Sequence, residues 1–236
     1  MGGGCWVSLL TMASRAEVEA ARRALARLSL DAQRRLRGVL AGVGTDDPVR
    51  LERALRAVFP SLAEYQSASA ALGATMAESW TRQLGVRPAL EVSRPLDADR
   101  LAGFGGWAAR QADAAAAVAD VVDVLTKASY RRTVQHTAQR SGMAWARVPS
   151  GATTCAFCLM LASRGAVYGS AAKAGDGHKY HGHCDCQVVL VRDERDLPEG
   201  FDLEGMRDLY ALGVGAADSH STAGVLAGIR KVTGSH

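Results

Sequence analysis

The segment from Cys155 to Cys186 constrains this chain more than any other. Cys155-Ala156-Phe157-Cys158 is followed about two dozen residues later by His181-Gly182-His183-Cys184-Asp185-Cys186. Thiolates and imidazoles are the ligands zinc prefers, and structural sites pair a CxxC with a second short ligand pair in a closed tetrahedron. A CxxC knuckle lets two sulfurs converge, with backbone N–H groups to stabilise their charge. Cys184 and Cys186 are two apart, so in an extended segment both project to one side. His181 lies a few residues upstream and can join either. Six candidates compete for four positions. Cys155, Cys158, His181 and Cys186 form the expected set, Cys184 stands beside them, and His183 is in reserve. Four good protein ligands leave no need for an open catalytic position, so the expected ion is a structural Zn2+.

Other uses of these cysteines fit poorly. A thioredoxin-like redox motif needs a βαβ context, and none surrounds this CxxC. A zinc deaminase needs an HxE upstream of PCxxC, but Thr154 precedes Cys155, and Thr137 and Ala138 follow His136. There is no HExxH. Four of the five cysteines sit in this one cluster, which suits a reducing compartment better than a disulfide framework. The scattered carboxylates offer no pair on one face for general acid–base chemistry.

At 236 residues the chain has room for one large domain or two modest ones. The first part reads as helices. Val18, Ala21, Leu25 and Leu28 form one apolar stripe, with Arg22, Arg23 and Arg27 off it. Gly42-Val43-Gly44 ends that region, and Asp47-Pro48 reads as an N-cap with proline in the first turn. Pro60 interrupts the next helix, which a capping box at Ser61-Leu62-Ala63-Glu64 restarts. Residues 85–95 form a connector. Asp97 or Asp99 then caps one long helix running to Arg140. Met143 to Val148 alternates as a strand, residues 156–163 suit a short helix, residues 187–191 a core strand, and residues 203–212 a second short helix. From Gly213 the glycine- and serine-rich end reads as a loosely held tail.

The expected class is therefore α+β, a helical N-terminal region followed by a small zinc-stabilised α+β module. The boundaries are 1–13 for a disordered or mis-annotated start, 14–140 for the helical region, 141–195 for the module, and 196–236 for the short helix and flexible tail. Alanine-rich stripes bury little area each, so the helical region is expected to need close helix partners, within the chain or from another subunit.

The net charge of +4 is too small to imply a nucleic-acid partner. Its distribution is uneven: Lys127, Arg131, Arg132, Arg140, Arg147, Arg164 and Lys173 occupy a stretch without acids, and an acidic stretch follows it. Arg132, His136 and Arg140 fall on one helix face, read as a solvated basic face or as a contact for DNA. Trp6, Trp80, Trp107 and Trp145 read as core or interface aromatics. No apolar run reaches membrane-spanning length, because Asp113, Asp120 and Asp123 interrupt the Ala/Val stretch. Met1 to Leu10 lacks the basic leader of a signal peptide.

The cysteine and histidine spacing resembles the Mu F-like family of phage head-morphogenesis (minor capsid) proteins, in the form found in phages of actinobacteria. That family carries a CxxC and, further on, an HPxCRC signature before a short strand. Cys155 and Cys158 match the first element; His181, Cys184 and Cys186 match the second. Gly182 stands where the family has proline, and Asp185 where it has arginine. The likeness covers residues 143–191. It implies a structural virion protein, not an enzyme, at low copy near the portal in the head interior, present in the host cytoplasm during assembly. Its implied partners are the portal, major capsid or scaffold protein, and packaged DNA, with self-association a further option and no membrane. The competing readings are a zinc-stabilised nucleic-acid-binding module and a zinc-held nuclease, for which His178 and His183 are the nominees.

Overall fold

A computed structural model describes residues 13–44, 46–150, 154–169, 180, 184 and 186–235. The start expected at 1–13 therefore lies outside the described residues except for Ala13, which is buried in the core.

Helix α1 (Arg15–Val43) opens with a reciprocal capping box. The Ser14 hydroxyl accepts from Glu17 N–H at 3.2 Å, and Ser14 N–H donates to the Glu17 carboxylate at 2.8 Å, so two orphan donors are satisfied together. Its buried stripe runs Val18, Ala21, Leu25, Ser29, Ala32, Leu36, Leu40. Asp47 caps α2 (Pro48–Val58), accepting from Val49 and Arg50 N–H. A 3-10 turn (Phe59–Ser61) then carries the chain into α3 (Leu62–Gln83). The capping box expected at Ser61 does not form. Ser61 already has helical backbone angles, φ −64° and ψ −15°, so Pro60 bends the path without exposing a fresh helix end.

The single long helix expected up to Arg140 is two. Asp97 caps α4 (Ala98–Ala109), and Asp113 accepts from Ala116 N–H at 2.9 Å to start α5 (Ala114–Arg140). The break lets α4 fold back onto α2, where Gly105 lies against the Leu55 carbonyl; a Cβ there would come within 2.6 Å of that oxygen.

Residues 84–97 connect α3 to α4, and they are tied down. The N–H groups of Ala89, Glu91 and Ser93 donate to the hydroxyls of Ser141, Thr137 and Thr133 at 3.0, 3.2 and 3.0 Å. Two extended residues advance about 6.6 Å and four helical residues about 6 Å, so alternate connector amides meet successive turns of α5.

Helix α5 organises the fold, touching α1, α3, α4 and both strands. Its first half joins α2, α4 and the second half of α1 in one apolar core, with Leu36, Leu55, Phe59, Leu101 and Val122 fully buried. Its second half joins the first half of α1, the end of α3 and the sheet in another, around Leu25, Trp80, Tyr130, Val134 and Trp145. Between the two cores lies a buried polar set. Asp123 takes Lys127 Nζ at 2.8 Å and the Ser29 hydroxyl at 2.7 Å. The aspartate expected to break up an apolar run thus does so inside the protein.

The sheet, as far as the described residues go, is one antiparallel pair of β1 (Ala144–Val148) and β2 (Gln187–Val191), with Trp145 opposite Leu190 and Arg147 opposite Val188. Helix α6 (Ala156–Ala162) lies between them in sequence. Because the sheet packs on α1, α3 and α5, one core crosses the boundary expected at 140/141. After a 3-10 turn (Glu194–Asp196) come α7 (Leu203–Gly215) and α8 (Thr222–Thr233). The short helix expected over 203–212 is α7, while the end from Gly213, expected as a loose tail, carries α8. Val225 and Ile229 of α8 pack with Leu159 and Leu161 of α6, and Ser221 caps α8 by accepting from Gly224 N–H. No helix among the described residues is long and apolar enough to cross a membrane.

Candidate metal centre

The sulfur cluster forms where the start of α6, the residues before β2, and β1 meet. The Sγ atoms of Cys158, Cys184 and Cys186 lie within 4.8 Å of one another, all three buried. Cys158 and Cys184 approach to 3.3 Å. Cys155 belongs to the same buried cluster; it caps α6, its sulfur accepting from Cys158 N–H at 3.3 Å. None of the four is in a disulfide. The backbone N–H support expected of a CxxC knuckle is therefore in place at Cys155. Cys184, set beside the expected four, is central to the cluster. His181 and His183, and with them His178, lie outside the described residues.

Two buried arginines complete the site. Arg147 pairs with Val188 across the sheet, so it shares a face with Val188 and with Cys186 two residues earlier. Its guanidinium reaches the sulfurs of Cys184 at 3.6 Å and Cys158 at 3.8 Å. Arg131 of α5 donates to the carbonyls of Cys184 at 2.8 Å and Cys186 at 3.1 Å, which fixes the short Cys-x-Cys segment. Both guanidiniums lie over the Tyr180 ring, Arg131 at 3.9 Å and Arg147 at 4.0 Å from its centroid, a desolvated cation–π arrangement. Burial pushes the Tyr180 hydroxyl up to about 12, against the pull of Arg147 and Arg131.

Electrostatics sort the thiols. Hydrogen bonds from Cys158 and Cys186, with Arg131 and Arg147 nearby, hold Cys184 well below the ordinary thiol range. Cys158 is pushed up by its hydrogen bonds with Cys155, Cys184 and Cys186. Arg131 and Arg147 were legible in sequence only as members of the acid-free stretch. The missed signal is that Arg147 sits two residues from Trp145 on the same strand face, an inward position for a charged side chain.

Among the other residues singled out, Trp80 and Trp145 are fully buried, and Trp145 stacks on Tyr168 with centroids 4.4 Å apart. Trp107 is half-exposed, and Trp6 lies outside the described residues. On the Arg132/His136/Arg140 face, Glu91 sits 3.8 Å from His136 and 3.4 Å from Arg140, so part of that charge is balanced within the chain.

The architecture defines a mainly helical α+β protein with a small antiparallel sheet and a buried four-cysteine cluster at one sheet end. Residues 12–212 match the model of the VG15 protein family, and the chain belongs to that family. It is also similar to the Gene 15 protein of Mycobacterium phage L5, 37% identical over 90 residues, a match covering 23% of this chain and 31% of that protein. The match thus takes in less than a third of the relative's length. No solved structure matches the chain. The family and this relative support a phage origin.

Proposed function

We propose that this protein is a structural minor head component of a tailed phage or prophage, of the Mu F-like kind, whose C-terminal part is held by one zinc ion. The observation that carries the reading is the buried cluster itself. In a chain of a phage-associated family, the CxxC and Cys-x-Cys elements, whose spacing resembles a head-morphogenesis motif, fold into a single sulfur site. Soft, convergent thiols are the donor set that zinc or an iron–sulfur cluster selects, and zinc needs no redox partner. Bound there, zinc would supply cross-linking and no chemistry on a substrate. Cys155, Cys158, Cys184 and Cys186 are at most 7% exposed, and among the described residues Arg147 and Tyr180 lie against them. That burial favours a structural role over an enzymatic one.

The partners that fit are the portal, major capsid or scaffold protein, met in the host cytoplasm and retained in the head. Mass spectrometry of purified particles tests this. The expected result is the protein at low copy relative to the major capsid protein, in heads separated from tails. Its presence in infected cells but not in particles would overturn the reading.

A further inference from the structure

The face of α5 that borders the cysteine site carries donors with no partner among the described residues. A cleft of about 610 Å³ opens there, and its polar lining is Arg131, Arg132, Gln135, His136 and Tyr180. Spacings of three and four put the α5 members on one side of the helix. Arg131 and Gln135 are 1% and 3% exposed, yet Arg131 Nε and Gln135 Nε2 make no hydrogen bond to any described residue. The buried Tyr180 hydroxyl is likewise unpartnered. Arg132 donates to the Ala128 carbonyl at 3.4 Å, and burial lowers its guanidinium from the ordinary value. Glu91 lies at the edge of this face, against His136 and Arg140. Native folds pair nearly all their buried donors, so several left over around one cleft call for an acceptor from outside.

We propose that this cleft is a phosphate-binding site, and that the phosphate belongs to the backbone of a nucleic-acid strand. Among the described residues no carboxylate lines the cleft, and arginine supplies donors alone, so the lining repels a cation and suits an oxyanion. The donors of Arg131, Arg132, Gln135 and Tyr180 outnumber the two oxygens of a carboxylate, whereas a phosphate offers further acceptors and matches arginine forks. Partly exposed Arg132 and His136 form the outer wall, with buried Arg131 and Gln135 behind them. The cleft is larger than a lone phosphate ion needs, and Val124 and Ala128 give it an apolar side for a sugar to pack on. Arg131 holds the carbonyls of Cys184 and Cys186 through its Nη2, so the cleft and the cysteine site share a side chain but not a donor atom. Nothing in this site depends on zinc being the occupant of the cluster.

Fluorescence polarisation of short labelled single strands and duplexes, with the full chain and with inorganic phosphate as competitor, tests the site. Affinity should fall as salt rises. Arg132→Ala should weaken binding about tenfold and reduce the salt slope by about 1. Gln135→Leu removes a neutral donor, so it should weaken binding about threefold and leave the slope unchanged. Arg230→Ala, at an exposed arginine of α8 outside the cleft, should change affinity by less than about twofold. If Gln135→Leu fails to fold, the Arg132→Ala and Arg230→Ala pair still decides. A folded chain that binds neither strand nor phosphate would overturn the site, as would equal losses in Arg132→Ala and Arg230→Ala. Binding of inorganic phosphate without binding of either strand would overturn the assigned source. Displacement of the strand by an acidic peptide as readily as by phosphate would overturn phosphate as the ligand.

Discussion

The core shared by the second half of α1, α2, α4 and the first half of α5 and the cysteine cluster at one end of the sheet are both buried but differ in chemistry. The first is apolar, with Leu36, Leu55, Phe59 and Leu101 at its centre, and its helices close on one another through small residues such as Gly105. Its stability is the sum of many weak contacts, each buried leucine contributing about 1.5–3 kcal/mol, and no single one decides it. The second packs four thiols, two guanidiniums and a tyrosine into one site. Without an ion it is an arrangement of costly polar burials; with one, it becomes the strongest tie in the chain. Area stabilises the first region; on the zinc reading proposed above, ligand chemistry would stabilise the second.

The largest effect that would break this contrast is at Cys184, which lies against both Cys158 and Arg147. Apparent binding energies of structural zinc sites are on the order of 10–16 kcal/mol, so Cys184→Ser should lose the ion and unfold the surroundings of β2. Hydrogen exchange should then show amides of residues 187–191 losing protection while α2 and α4 keep theirs. Uniform loss in both regions would mean that the two are not held separately.

A smaller effect is expected at the polar divide along α5. Asp123→Ala leaves Lys127 buried without its carboxylate, and breaking a buried pair from one side costs about 3–5 kcal/mol. Thermal or urea unfolding measures it. A loss below 1 kcal/mol, roughly that of an exposed pair, would show that water reaches the site. The smallest change concerns the connector: Thr137→Val removes the acceptor for Glu91 N–H and should cost about 1 kcal/mol, with faster exchange at residues 89–93.

What the sequence made legible follows the same division. The strands at 144–148 and 187–191 and the short helix at 156–162 show themselves through alternation and ligand spacing, which are local. The break between α4 and α5 was hidden, because Asp113 in an alanine-rich run looks like one polar residue in a continuous helix until its cap is seen. Helix α8 was hidden for the opposite reason. Gly224 and Gly228 look like looseness, yet Gly228 packs where a Cβ would collide with Gly213 of α7. Long-range pairing was least legible. Nothing near Arg131 in sequence announces that it will hold carbonyls more than fifty residues away.

Elemental analysis of the full chain, expressed without added metal and paired with a thiol titration, tests the contrast most directly. One zinc per chain is expected, with four thiols that react only after chelation and a selective loss of order around residues 184–191 once the ion is removed. Less than half an equivalent of zinc, four freely reactive thiols and an unchanged fold would contradict it.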